Sequence, residues 1–197
     1  KLDEYFATSE TAKFPGSYGG VIHEMVEARD VRMGQWGFSN QVAHHVPWMY
    51  LYTGQPWRTQ EIVREVLDRM YVGSEIGQGY PGDEDNGESS AWWLFAALGF
   101  YPLQMGSENL VIGSPLFRKA TLQLPNGRSL EVVANNNSRS HRYVSGVRVN
   151  GKAWHSTSIP HRVLADGGRI EFDMSERPAQ WGSAIEAAPP SLTTAAD

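Results

Sequence analysis

The chain has 197 residues, of which 41% are hydrophobic and 20% charged, with a formal net charge of −5 and no cysteine. That length holds one large domain or a domain with a smaller companion, and the balance of residue types is that of a globular protein. Disulfides, thiolate metal sites and a cysteine nucleophile are excluded. The acidic balance without a basic stripe argues against nucleic acid, and no apolar run approaches the roughly 20 residues that cross a membrane as a helix.

In chain order, Lys1-Leu2-Asp3-Glu4-Tyr5-Phe6 reads as the middle of an amphipathic helix with no initiating Met and no signal peptide, which leads us to expect a fragment. Gly20 to Asp30 carries Val21, Ile22, Met25 and Val26 at helical spacing. His44–Tyr52 is a compact aromatic segment with Pro47 tolerable in a first turn. Pro56 and Thr59 lead into Glu61–Tyr71, where Ile62, Val63, Val66, Leu67 and Met70 form one stripe and Glu65–Arg69 an i,i+4 pair. Ser89–Leu98 is apolar nearly all round, so it is predicted buried, with Gly99 as its C-terminal stop.

Near residue 105 the pattern changes to β. Asn109–Ile112, Ala120–Leu124, Leu130–Ala134, Val144–Val149 and Arg169–Met174 are short alternating or β-branched runs. Asn126-Gly127 and Asn150-Gly151 are hairpin signals. The expectation is a helical part over 1–105, a small antiparallel β unit over 106–182, and a Pro- and Ala-rich tail or linker over 183–197.

The most informative stretch is acidic. Asp83, Glu84, Asp85 and Glu88 lie within six residues, punctuated by Gly82 and Gly87, just before the buried helix. Concentrated carboxylates repel one another unless a cation or a general-base role uses them. A solvated turn that caps the following helix through Asp85 or Asn86 is the competing reading. An EF-hand does not fit, because loop position six would be Glu88 rather than Gly. His44-His45 are adjacent, about 100° apart on a helix, and so do not chelate zinc; with Ser39-Asn40-Gln41 they offer amides and imidazoles to sugar hydroxyls, or one is a core histidine and the other exposed. The seven Trp, eight Tyr and seven Phe, several beside Gly, Asn, Asp or His, suit stacking on pyranose rings, but composition alone favours an aromatic core.

Gly79-Tyr80-Pro81-Gly82-Asp83-Glu84-Asp85-Asn86-Gly87-Glu88-Ser89-Ser90-Ala91-Trp92-Trp93, with Ala97-Leu98-Gly99-Phe100-Tyr101-Pro102, closely resembles the signature of glycoside hydrolase family 92. So do Asn40-Gln41 with His44-His45, Gly54-Gln55-Pro56-Trp57 and Ile112-Gly113-Ser114-Pro115-Leu116-Phe117, in the same order. The resemblance implies a calcium-dependent exo-α-mannosidase that inverts the anomeric centre. It implies the last helices of an (α/α)6 barrel followed by the small β unit, packed against an N-terminal part of the same protein that is not in this sequence. It makes Asp83 and Asp85 the general base, and Gln41, His44, His45 and Glu88 contacts to a mannose-containing glycan. Asn40, with Asp83 or Asp85, would serve Ca2+, and the location would be secreted or periplasmic. The family's general acid is a Glu in a Glu-Gly-Asn-Ala-Trp segment that this sequence lacks, so the isolated chain is expected to be inactive. Gln41 stands where many α-1,2-specific members carry an acid, which leaves the linkage open. Two other readings remain at this point. One is a non-catalytic carbohydrate-binding or scaffold module using Trp154, His155 and Trp181; the other is a different (α/α)-barrel hydrolase or phosphorylase sharing only architecture, with no obvious phosphate clamp near the acidic loop.

Overall fold

Where apolar residues recur at helical spacing the chain is helical, and where they alternate it is extended, in a computed structural model that describes residues 1–11, 13, 19–72 and 79–191. Two compact units result: Lys1–Val46 with Asp68–Trp93, and Pro47–Leu67 with Leu94–Asp197.

The first unit holds α1 (Leu2–Ala7) and α2 (His23–Val31). In α2 the buried residues are Ala28 and Val31, while Val21 and Val26 of the expected stripe are exposed. The helix stops where Arg32 turns left-handed, with its N–H on the Ala28 carbonyl. A short 3-10 turn, Gln41–Ala43, follows, capped by Asn40, whose side chain accepts from Val42 N–H. The core here is aromatic. Phe38 sits with its ring centroid 4.9 Å from Trp36, 4.7 Å from His44 and 4.7 Å from Trp92. Tyr71 stacks on Trp92 at 6.0 Å with the rings nearly parallel.

In the second unit, His44–Tyr52 was expected as a helix; the structure makes Val46–Thr53 a 3-10 helix instead. Its Trp48, Tyr50 and Leu51 are buried. The helix α3 (Pro56–Arg69) begins at Pro56, whose missing N–H is harmless in a first turn. It buries Ile62, Val63, Val66 and Leu67 as the stripe predicts, and also Thr59, Gln60 and Arg64. Each of the polar three has a partner: Thr59 donates to the Pro47 carbonyl, and Gln60 accepts from Val144 N–H. Arg64 Nη1 donates to the Pro115 carbonyl (2.9 Å) and Asn137 Oδ1 (2.8 Å), tying α3 to the Ser114-Pro115 turn. Trp48 stacks on Tyr101 at 4.9 Å, and a Cβ on Gly113 would lie 2.7 Å from the Trp48 ring, so the Gly113-Ser114-Pro115 motif is a packing motif.

The next helix, α4 (Glu88–Leu98), buries Trp92, Ala96 and Ala97 but leaves Leu94 exposed, so it is not buried all round as expected, and it ends at Gly99, φ +88. Then come β1 (Phe100–Tyr101), β2 (Asn109–Ile112), β3 (Lys119–Gln123), β4 (Ser129–Asn135), β5 (Tyr143–Val149), β6 (Lys152–Trp154), β7 (Ser158–Pro160), α5 (His161–Ala165) and β8 (Gly168–Ser175). They form two sheets, β1-β2-β7 and β3-β4-β8-β5-β6. Both hairpin signals close where expected, β3–β4 at Gly127 and β5–β6 at Asn150-Gly151, the latter pair both with positive φ. The expectation of a purely antiparallel unit needs one correction: β8 lies parallel to β4, from Leu130 beside Gly168 to Asn135 beside Asp173. A hairpin cannot join parallel neighbours, and the chain between β4 and β8 supplies the crossover. Ile170, Phe172 and Met174 of β8 share the core with Leu130, Val132 and Ala134, and with Val144, Val147 and Val149. The three-residue step from Val144 to Val147 reflects a bulge between Val144 and Gly146. On the opposite face Arg148 grips Asp173 (2.6 Å) and Arg169 grips Glu131 (3.0 Å). Residues 183–191 lie on this unit, where the Ala187 carbonyl accepts from Thr157 N–H (2.7 Å); 192–197 are outside the described residues.

Candidate active site

The acidic loop, α2 and the turn after Phe38 meet in the first unit around a cleft of about 220 Å³. His23, Glu24 and Glu27 of α2 form one wall, Ser39, Asn40 and Gln41 a second, and Asp83 and Asp85 a third. The structure thus brings together four of the seven expected residues: Asp83, Asp85, Asn40 and Gln41. Both aspartates and Gln41 are exposed.

Two features build the loop. A Cβ on Gly82 would overlap the Ser39 carbonyl and side chain, so glycine lets the loop rest against the Ser39 turn. Asp85, Asn86 and Gly87 then take positive φ of 52, 58 and 100° in succession. The competing capping role falls to Glu84. Its carboxylate accepts from Gly87 N–H and Ser90 N–H at the start of α4, and a hydrogen bond from the Ser90 side chain leads, ahead of these two, in holding its carboxyl below the ordinary range.

His44 is 3% exposed, packed between Phe38 and Trp92. Nε2 donates to the Phe38 carbonyl at 3.1 Å, so the neutral ring carries its proton there and Nδ1 is the acceptor. Burial pushes its pKa down to about 4, against a smaller upward pull from the Phe38 bond. Nδ1 has no hydrogen-bond partner and lies 3.8 Å from Glu88 Oε1. That spacing would suit an ion pair, but the buried ring is neutral near pH 7, so this is a contact between an imidazole lone pair and a carboxylate. The adjacent His45 is exposed. Trp36 and Trp92 fasten this turn from below, donating to the Ala43 and His44 carbonyls at 2.8 and 3.3 Å.

Three lining residues escaped the sequence reading: His23, Glu24 and Glu27, whose i, i+1, i+4 spacing on α2 was the available signal. His23 bridges both glutamates, Nδ1 to Glu27 (3.3 Å) and Nε2 to Glu24 (3.4 Å), and the Glu27 bond leads in raising its pKa.

The donor chemistry fits a hard cation such as Ca2+. The walls are carboxylate and amide oxygen, and the Ser39 hydroxyl is buried without a hydrogen-bond partner. Among the described residues no three His, Cys, Asp or Glu side chains converge to hold a metal by themselves. A bound cation would therefore draw on amide oxygens, water and substrate hydroxyls as well. The alternative sugar platform is largely spent on packing: Trp154 and Trp181 are partly buried against the β core and donate to the Ser158 and Trp154 carbonyls. Among the described residues no helix is long and apolar enough to cross a membrane.

Residues 1–176 match the family model described as the glycosyl hydrolase family 92 catalytic domain. An α-mannosidase of this family from Bacteroides thetaiotaomicron, solved in complex with mannoimidazole, superposes with a TM-score of 0.84 at 32% identity, over 98% of this chain and 24% of that one. An inverting mannosidase of the family from the same bacterium gives 0.77 at 41% identity, over 96% and 26%. A fungal protein of Arthroderma benhamiae, described as an uncharacterized secreted glycosidase, is 24% identical over 78% of this chain and 20% of its own length. The chain thus spans about a fifth to a quarter of the relatives it matches. With the family model covering 176 of the 197 residues, and with the acidic loop and the Asn40-Gln41 turn meeting in one cleft, the chain belongs to glycosyl hydrolase family 92.

Proposed function

We propose that this chain is part of an exo-acting, inverting, calcium-dependent α-mannosidase, its helices being the last of an (α/α)6 barrel. The observation that carries the reading is the meeting of Asp83 and Asp85 with Asn40 and Gln41 in one polar cleft. The inverting mannosidase at 41% identity supports it.

Asp83 and Asp85 hold a water between them and take its proton as its oxygen attacks C1 of mannose from the face opposite the leaving group. Inverting enzymes need the acid and base about 6.5–9.5 Å apart, so this adjacent pair is the base alone. The proton for the leaving oxygen comes from a carboxylic acid elsewhere in the full-length protein. Asn40, with Asp83 or Asp85, would hold Ca2+, which when bound supplies positive charge to the sugar hydroxyls and favours the flattened ring. Gln41 on the cleft wall, with the exposed His45 and Glu88, would contact the sugar, and the buried His44 would support the turn that carries them. An extracytoplasmic location accords with the fungal relative, which is named as secreted.

In the full-length protein, Asp85→Asn should lower kcat on an α-mannoside by about 10³-fold or more, the order expected for loss of a general base. Wild-type-like turnover by that variant would sink the assignment. A chelator should abolish hydrolysis and added calcium restore it, and proton NMR should show β-mannose formed first; α-mannose first would rule out inversion.

A further inference from the structure

Glu84 is flanked by the two proposed base residues yet faces away from their cleft. Asp83 and Asp85 line it; Glu84 does not. Its two carboxylate oxygens are divided between two backbone donors, Oε2 to Gly87 N–H (2.5 Å) and Oε1 to Ser90 N–H (3.1 Å). Its own carbonyl accepts from Ser89 N–H (3.1 Å), and the Asp85 carbonyl accepts from Glu88 N–H (3.2 Å). One side chain thus closes residues 84–90 onto the first turn of α4.

What this closure holds is a disfavoured backbone. Asp85 and Asn86 have φ of 52 and 58°, where a side chain crowds its own carbonyl, and a run of such residues persists only where the surroundings hold it. The loop's other end is pinned by Gly82 on Ser39. Between those anchors, the backbone of Asp83–Asp85 is held at one end by glycine packing and at the other by the Glu84 carboxylate.

We infer that Glu84 is a positioning residue: its carboxylate clamps the start of α4 and so aims Asp83 and Asp85 into the cleft. The inference rests on the reading of those aspartates as the water-activating pair. A carboxylate is the group the clamp requires. Gln at this position keeps the length but offers one acceptor and sets its NH2 against the second N–H donor.

The test compares wild-type full-length protein with Glu84→Gln and Asp85→Asn, by amide hydrogen exchange across Gly82–Ser90 and by kcat and KM on an α-mannoside. In Glu84→Gln, exchange at Gly87 and Ser90 should accelerate. Its kcat should fall about 10- to 100-fold, the cost of misplacing a reacting group by roughly an ångström, with KM within about threefold of wild type. Unchanged exchange overturns the clamp. Faster exchange with kcat within about twofold of wild type, while Asp85→Asn is dead, overturns the positioning role. Should wild type and Asp85→Asn hydrolyse equally, the functional reading fails and exchange alone decides whether the clamp exists. If Glu84→Gln does not fold, Ser90→Pro, which deletes the Ser90 N–H and hydroxyl and spares the carboxylate, is read by exchange at Gly87 and by the same kinetics.

Discussion

Single residues in this chain derive their chemistry from what buries them. His44 and His45 are identical in sequence, yet one is 3% exposed and the other lies on the surface. The buried ring is held neutral by desolvation, its pKa lowered to about 4 from an ordinary 6.5. The sign of the pH effect follows. Above pH 6.5 neither the folded nor the unfolded state protonates His44. Between 6.5 and 4 the unfolded chain takes the proton and the folded chain does not, so folding weakens as pH falls through that window. The shift corresponds to about 3 kcal/mol. Denaturant midpoints at pH 7 and pH 4.5 should show wild type losing roughly 2–3 kcal/mol more than His44→Gln. Equal losses would show the ring to be solvated.

At the scale of elements, turn geometry and register carry the consequences. The acidic loop approaches the Ser39 turn only because Gly82, φ +69, has no side chain. Gly82→Ala adds both a left-handed penalty and an overlap with backbone, so it should destabilise the first unit by about 2 kcal/mol or more and reduce kcat. Thermal melts and turnover of the purified variant check this. Within the five-stranded sheet, Phe172 is fully buried on the central strand β8. Phe172→Ala should cost about 3–5 kcal/mol by chemical denaturation, through lost transfer energy and a cavity that β4 and β5 cannot close. Asp173, its neighbour in sequence, faces Arg148 on the open side of the sheet, so Asp173→Ala should cost no more than about 1 kcal/mol.

At the scale of the whole molecule, the cleft would, under the proposed mechanism, supply base and cation-binding oxygens, but the chain spans only 24–26% of the two bacterial mannosidases. Under the proposed mechanism a protein of these 197 residues alone should release no mannose from α-mannosides, while the full-length protein does. A reducing-sugar assay on both decides it, and activity in the 197-residue chain would place the proton donor within this cleft, where Glu24 and Glu27 would be the groups to replace.

Much of this was open to reading from residue order. The α3 stripe, the β2 strand, the Gly99 stop and both hairpin turns are local matters, settled within a few residues by side-chain spacing and by glycine or asparagine at positive φ, and the structure keeps them. The acidic loop was legible for the same reason, because its residues are contiguous. What only the tertiary structure decided depends on neighbours distant in sequence. Which histidine is buried was set by Phe38 and Trp92 closing over one ring. That Glu84 turns its carboxylate onto the start of α4 was set by the Gly87 and Ser90 N–H donors there. The α2 wall of the cleft and the parallel pairing of β4 with β8 were likewise decided by packing, since no spacing along the chain says which distant segment will lie alongside.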